Sequence, residues 1–270
     1  MERSAWAQPG IDPSVPSLSR MYDFYLGGSH NFEADRAAAR EAIAAFPGLP
    51  ALALANRAFL RRAVRYAVAE GVSQFVDIGS GILTFGNVHE IARRTGDDTR
   101  VVYVDNDPVT VAHSRAVLAG DDRTDILAAD LRGPSAILNS EQVGRLIDLG
   151  RPVALLLVAV MHFLGEDDKP HERIAELRDM LAPGSLLALT HASPEHRPTA
   201  SVPDARISEV YRRAGATLVL RSGAEITHFF EGFDLVPPGV VPLPDWRPDG
   251  PPDEEGPKVN SGFAGVGRKG

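Results

Sequence analysis

At 270 residues, with 44% apolar and 24% charged side chains, the chain has the size and composition of one α/β domain carrying an N-terminal addition. It contains no cysteine, which removes disulfides, thiol catalysis and thiolate-held zinc. The formal charge is −8, the opposite of what phosphate neutralisation requires, and no stretch reaches the ~18 apolar residues of a membrane span. The expectation is a cytoplasmic protein with no nucleic-acid or membrane partner.

Residues 1–17, rich in Pro, Ser and Gly and without periodicity, predict an extended lead. Residues 18–71 read as a helical cap, with helices over 33–46 and 51–69 divided by Pro47-Gly48-Leu49-Pro50. In the second helix Ala53, Leu54, Phe59, Leu60, Ala63, Val64 and Ala67 recur at helical spacing. From 72 to 270 the pattern changes. Strands are predicted at 73–78, 101–105, 125–129, 152–160 and 185–191, alternating with helices near 86–95, 108–119, 133–148 and 171–182. This alternation implies right-handed crossovers and a parallel sheet. Past residue 200 the expectations are a helix near 204–214, a strand at 217–221, a helical stretch over 223–231 and a surface loop at 244–257. A final strand near 262–267 would close an antiparallel hairpin with 217–221.

Residues 75–81, Phe75-Val76-Asp77-Ile78-Gly79-Ser80-Gly81, followed by Val101-Val102-Tyr103-Val104-Asp105, carry the functional signal. Each is a β-branched run leading into residues suited to a nucleoside. Glycines after a strand let the backbone approach a ligand, and an acid at the next strand tip accepts from a ribose diol. The dinucleotide fingerprint wants Gly or Ala three places after the second glycine, where this chain has Thr84. With Asp77 ahead of the glycines, the D-x-G-x-G turn favours S-adenosylmethionine (SAM) over NAD. A nicotinamide-dependent oxidoreductase stays open as an alternative. No His/Asp/Glu set has metal-ligand spacing, and no Gly-x-Ser-x-Gly elbow points to a hydrolase.

Further blocks carry a resemblance. They are Arg20-Met21-Tyr22-Asp23-Phe24-Tyr25-Leu26-Gly27-Gly28, Asn31-Phe32, Ala55-Asn56-Arg57-Ala58-Phe59-Leu60-Arg61-Arg62, Tyr103-Val104-Asp105-Asn106-Asp107-Pro108 and Met161-His162-Phe163-Leu164. From about residue 12 onward the chain resembles the actinobacterial S-adenosyl methyltransferase family, within the Class I SAM-dependent methyltransferase superfamily. It departs from the family pattern in having Ser29-His30 after Gly28, where a charged pair is usual, and Leu83 where proline is usual. The resemblance implies a Rossmann-like, seven-stranded, mostly parallel sheet with helices on both faces and an N-terminal helical cap. It implies SAM as cofactor and a small-molecule methyl acceptor, without naming that acceptor. A non-catalytic SAM-binding sensor or scaffold is the alternative from another class.

The residues expected to hold the cofactor are Asp77, Gly79, Ser80 and Gly81 at the turn, Asp105 at the ribose with Asp107 as the runner-up, and Asn106 beside them. Asp130 and Leu131 are expected at the adenine, and Ala159 and Val160 offer backbone contacts. Asp105, Asp107 and Asp130 each have a competing role as a helix N-cap. The 20–31 stretch reads as a lid, with Gly27-Gly28 as hinge, Tyr22 and Tyr25 as wall, and Arg20 or Asn31 as partner of the methionine carboxylate. His162, His191 and Tyr25 are the candidate catalytic groups, His162 as a general base on a hydroxyl or amine.

Overall fold

Five apolar runs pair in parallel as β1 (Gln74–Ile78), β2 (Arg100–Asp105), β3 (Thr124–Ala128), β4 (Ala154–Leu157) and β5 (Leu186–Ala192). In the computed structural model, which describes residues 12–84, 86–94, 96, 98–195, 205–250 and 261–270, their order is β3-β2-β1-β4-β5. Beyond β5 the sheet turns antiparallel through β6 (Asp234–Leu235), β7 (Val241–Pro242) and β8 (Gly262–Arg268). β8 pairs with β5 along its whole length, and both β6 and β7 pair with β8. The architecture is the expected mostly parallel sheet with an antiparallel end, but with eight strands among the described residues where seven were expected, because two short strands, β6 and β7, share the edge of β8.

Side chains alternate faces along a strand, and here both faces are buried. Phe75, Tyr103, Leu156 and Ala188 face one core; Val76, Val102, Leu155 and Leu187 face the other. Full burial of one such aliphatic or Phe side chain stabilises by roughly 1.5–3 kcal/mol. The first core is covered by α1 (Leu18–Tyr25), α2 (Glu33–Ala45), α3 (Leu49–Ala69), α4 (Val88–Arg93) and α5 (Pro108–Val117). The second is covered by α6 (Pro134–Leu138), α7 (Glu141–Leu146) and α8 (Pro170–Met180). Near the C-terminal end, α9 (Ala205–Arg213) joins the first layer and α10 (Gly223–His228) the second.

Four local expectations are corrected. The helix expected over 133–148 is two, because the Ser140 hydroxyl accepts from Val143 N and starts α7 afresh. The strand expected at 152–160 stops at Leu157, since Ala159 sits at φ 59°, outside strand geometry. The 217–221 segment is no strand. The edge of β8 is taken by β6 and β7, and Val219 N donates instead to His162 O at 2.8 Å. Finally, α1 is a helix where only a lid was read. Its buried face carries Arg20 and Asp23 beside Met21 and Tyr25, so the apolar periodicity is broken by charge.

That charge is consumed internally. Arg20 Nε donates to Asp35 Oδ2 at 2.8 Å, Nη1 to Asp107 Oδ2 at 3.4 Å and Nη2 to Val15 O at 2.6 Å. The cap is also fastened to the far end of the chain. Arg62, 4% exposed on α3, donates to Trp246 O and Leu243 O, each at 2.8 Å. Trp246 is itself fully buried, edge-on to Phe59 and Tyr66. Among the described residues no single helix is long and apolar enough to cross a membrane.

Candidate functional site

A cleft opens at the carboxyl ends of β1, β2, β4 and β5, roofed by α1, α2–α3 and α9. The chain leaves β1 through a turn in which Gly79 N and Ser80 N both donate to Val104 O, at 2.8 and 3.2 Å. Gly79 and Gly81 have φ of 75° and 64°, the left-handed region that suits glycine. They differ in what surrounds them. A Cβ on Gly79 would lie 2.7 Å from Val160 Cγ2, whereas one on Gly81 would meet nothing within 4 Å. Gly79→Ala is therefore expected to cost at least about 2 kcal/mol of stability, strain plus clash, and Gly81→Ala about 1 kcal/mol, strain alone. Chemical denaturation of the two variants side by side checks this; equal losses would refute the packing difference.

Asp105, at the tip of β2, faces this turn. Its Oδ2 accepts from Gly81 N and its Oδ1 from Asp107 N, both at 2.9 Å. The Ser19 hydroxyl of α1 lies 3.3 and 3.4 Å from the same two oxygens. Asp107 is the N-cap of α5, accepting from Val109 N and Thr110 N. Burial pushes the Asp105 carboxyl up to about 6, against the hydrogen bonds from Asp107 N and Gly81 N. Burial likewise pushes Asp77 up to about 7, opposed by the Arg57 guanidinium and reinforced by Asp105. Both groups keep protons in the fold that the unfolded chain releases near pH 4. Stability of the ligand-free protein is thus expected to fall as pH rises from about 4 to about 7.

The residues expected at the adenine lie together along one wall of the cleft, with Asn106 beside them. Asn106 Nδ2 donates to Asp130 Oδ2 at 2.9 Å, and Leu131 lines the same wall. Arg132 ties Asp130 to Asp168, with Nη1 3.1 Å from Asp130 Oδ2 and Nε 2.7 Å from Asp168 Oδ1. At the end of β4, Ala159 N donates to Thr190 Oγ1 at 2.8 Å, and that hydroxyl donates to Asn56 Oδ1 at 2.6 Å. This chain of bonds from α3 through β5 holds Ala159 in its left-handed conformation, with Val160 against Gly79.

His162, His191, Tyr22 and Tyr25 all line the cleft, but their roles separate. His191 has both nitrogens engaged: Nδ1 donates to Ala192 O at 2.7 Å, and Nε2 accepts from Arg221 Nη1 at 3.0 Å. Burial takes its pKa down to about 4, so it is a neutral ring with no lone pair to spare, and the expectation that it serves as a base is corrected. His162 is also held neutral, by burial first and then by His191 and Arg221, and its Nδ1 is buried with no hydrogen-bond partner. Tyr25 Oη meets Tyr211 Oη at 3.3 Å, and burial raises its pKa far above the usual phenol value. Tyr22 Oη donates to Ala53 O at 3.2 Å.

Three expected residues do not line the cleft. Arg20 is spent on Asp35 and Asp107. Asn31 Nδ2 donates to Asp23 Oδ2 and to Gly28 O, at 2.8 and 3.0 Å. Gly28 is glycine because a Cβ there would lie 2.0 Å from Asp23 Oδ1. These residues build the α1–α2 turn. In their place the structure brings Arg57, Ser19 and Arg132 to the cleft, none of which was given a site role from the sequence, although Arg57 stands in the 55–62 block. Arg57 carried one usable signal, a cation among the apolar positions of a predicted helix. Among the described residues no group of three His, Asp or Glu is placed to hold a metal.

The sequence profile described as "S-adenosyl methyltransferase" matches residues 4–270. A Thermobifida fusca protein described as a candidate methyltransferase is 44% identical, covering 98% of this chain and 99% of its own, with a TM-score of 0.90. A DUF574 family protein from Streptomyces avermitilis is 34% identical, covering 96% of this chain and 99% of its own, with a TM-score of 0.88. No curated protein matches.

Proposed function

The chain belongs to the S-adenosyl methyltransferase family, with SAM as its cofactor, and from that premise we propose that it methylates a small-molecule acceptor in the cytoplasm. The observation that supports a working cofactor site is the Asp105 carboxylate facing the Gly79–Gly81 turn, with Gly81 N on one of its oxygens. The donor set fits the group. Asp105 suits the ribose diol, Asn106, Asp130 and Leu131 the adenine, and the turn glycines the close backbone approach. Arg57, with Asp77 beside it, suits the charged methionine end, a role the sequence reading gave to Arg20 or Asn31. When bound, the cofactor supplies a methyl group on a sulfonium already activated for transfer. What the protein adds is position and exclusion of water. Ala159 and Val160, fixed by Thr190, define the floor beside which an acceptor would be aligned.

Titration calorimetry with SAM and S-adenosylhomocysteine, followed by transfer from labelled SAM into a metabolite extract, tests the proposal. Cofactor binding with label appearing in a small molecule supports it. Binding with no transfer to any extract would favour the sensor or scaffold reading. The carboxylate must be ionised to accept from both ribose hydroxyls, and Asp105 sits near about 6. SAM affinity is accordingly expected to be full above about pH 7 and to fall roughly tenfold by about pH 5. A flat affinity profile across that range would place the ribose elsewhere.

A further inference from the structure

The charged side chains lining the cleft are Arg57, Asp77, Asp105, Asp130 and Arg132. All five lie at the part assigned above to the cofactor, a reading on which this inference rests. The remaining wall is aromatic and aliphatic, with Tyr22, Tyr25, Phe46, Leu49, Phe163 and Tyr211 among its residues. Its polar atoms are largely committed to one another. Tyr22 Oη is on Ala53 O, Tyr25 Oη on Tyr211 Oη, and Asn56 is held by Leu52 O and Thr190. An ammonium, carboxylate or phosphate resting on this wall would be buried without a counter-charge, which is costly.

His162 is the polar exception. A buried N–H without an acceptor is rarer and dearer than a buried lone pair without a donor. Nδ1, having no partner, therefore carries the lone pair and Nε2 the proton. Taking up a second proton would put an orphan N–H at Nδ1 close to the Arg221 cation. The titratable and charged groups around the ring are His191 and Arg221, the latter paired with Glu166 Oε1 at 2.6 Å, with Tyr211 beyond Phe163. His191 has no lone pair free to relay a proton. The ring is thus built to donate a hydrogen bond and not to accept a proton, which reverses the general-base expectation.

We infer that the acceptor is a flat, hydroxylated aromatic molecule of the acidic phenol class, bound as its phenolate against the aromatic wall, with His162 Nε2–H on the reacting oxygen. The step then balances without a base. An O–CH3 bond forms from the phenolate's electron pair, the S–CH3 bond breaks with its pair staying on sulfur, and no proton leaves the acceptor. The anion's charge lies on the atom that faces the sulfonium, so the uncharged wall does not oppose it.

The probe is 4-nitrophenol, whose anion alone absorbs visible light, added to protein loaded with SAM or with S-adenosylhomocysteine at a pH where the free phenol is mostly protonated. On mixing, before turnover consumes the anion, the visible band is expected to rise with SAM-loaded protein and not with the S-adenosylhomocysteine-loaded form. His162→Phe should weaken binding about tenfold, the loss of one hydrogen bond to a charged group, and His162→Gln, which keeps an N–H donor, should restore it to within about threefold. In turnover, replacing 4-nitrophenol by the less acidic 4-cyanophenol should move the midpoint of the pH profile upward with the acceptor. A midpoint independent of the phenol would mean a protein base and overturn the inference. So would binding of the phenol in its neutral form, binding or transfer to neither phenol, or preference for 4-nitrobenzylamine. SAM titration comes first. Failure there defeats the methyltransferase reading itself, whereas SAM binding with no rise in absorbance defeats only this inference.

Discussion

Asp105→Ala is expected to weaken SAM binding at least about tenfold. A carboxylate accepting from two ribose hydroxyls forms charge-assisted bonds worth roughly 1.5–3 kcal/mol each, and water entering the gap recovers part of the loss. The same substitution frees Gly81 N and the Ser19 hydroxyl, so the glycine turn loses its anchor as well. Ligand-free stability should change little, because the lost hydrogen bonds are offset by removal of a buried carboxyl held above its ordinary pKa. Asp107→Ala is the informative comparison. It removes the cap of α5 and the second partner of Arg20, so it should lower stability by about 1–2 kcal/mol while leaving SAM affinity nearly unchanged. Calorimetric titration of both variants decides it. If Asp107→Ala loses the cofactor and Asp105→Ala keeps it, the ribose assignment passes from Asp105 to Asp107.

The largest loss of stability is expected from Asp35→Ala. Asp35 is fully buried and accepts from Ser17 N at 2.9 Å, Phe32 N at 2.7 Å and Arg20 Nε at 2.8 Å. Its removal leaves the Arg20 guanidinium inside the fold with Asp107 3.4 Å away as its remaining acid. Breaking a buried pair from one side costs roughly 3–5 kcal/mol, on the order of 10 °C in melting temperature for a chain of this size. The double substitution Asp35→Ala with Arg20→Met, which removes the stranded charge, should recover part of the loss. Thermal unfolding followed by circular dichroism reads both. A single-variant loss below about 1 kcal/mol would show that the pair contributes packing alone.

The five parallel strands and the glycine turn were legible because a strand buried on both faces is written as a dense apolar run, β-branched in β1 and β2 and leucine-rich in β4 and β5, and the residues at its carboxyl end stand out against it. Asp77, Asp105, Asp130 and Ala159 were found that way. What failed were readings in which local chemistry was spent on something distant. Arg20, Gly28 and Asn31 look like ligand groups in a short polar stretch, yet their partners are Asp35, Asp107 and Asp23. Arg57 was hidden for the converse reason, its helix looking wholly structural. The 217–221 run has strand-like residues, but whether it joins the sheet depends on which segments pair with the edge of β8. Two-residue β6 and β7 do, and nothing in their own composition announces it. His162 was placed correctly at the cleft, while its inability to take a proton depends on the missing partner of Nδ1, a fact of packing.

The clasp between Arg62 and the carbonyls of Leu243 and Trp246 joins residues more than 180 positions apart. The cap expected at 18–71 is therefore tied to the rest of the chain and is not expected to behave as a detachable module. Its third helix supplies the lid of the second half's tryptophan, and that second half supplies carbonyl acceptors for a buried guanidinium's Nε and Nη2. A chain trimmed to begin at residue 72 would expose Trp246 and lose Asn56 from Thr190 together. Heating the intact protein should accordingly produce a single cooperative transition, with the cleft and its roof lost in the same step.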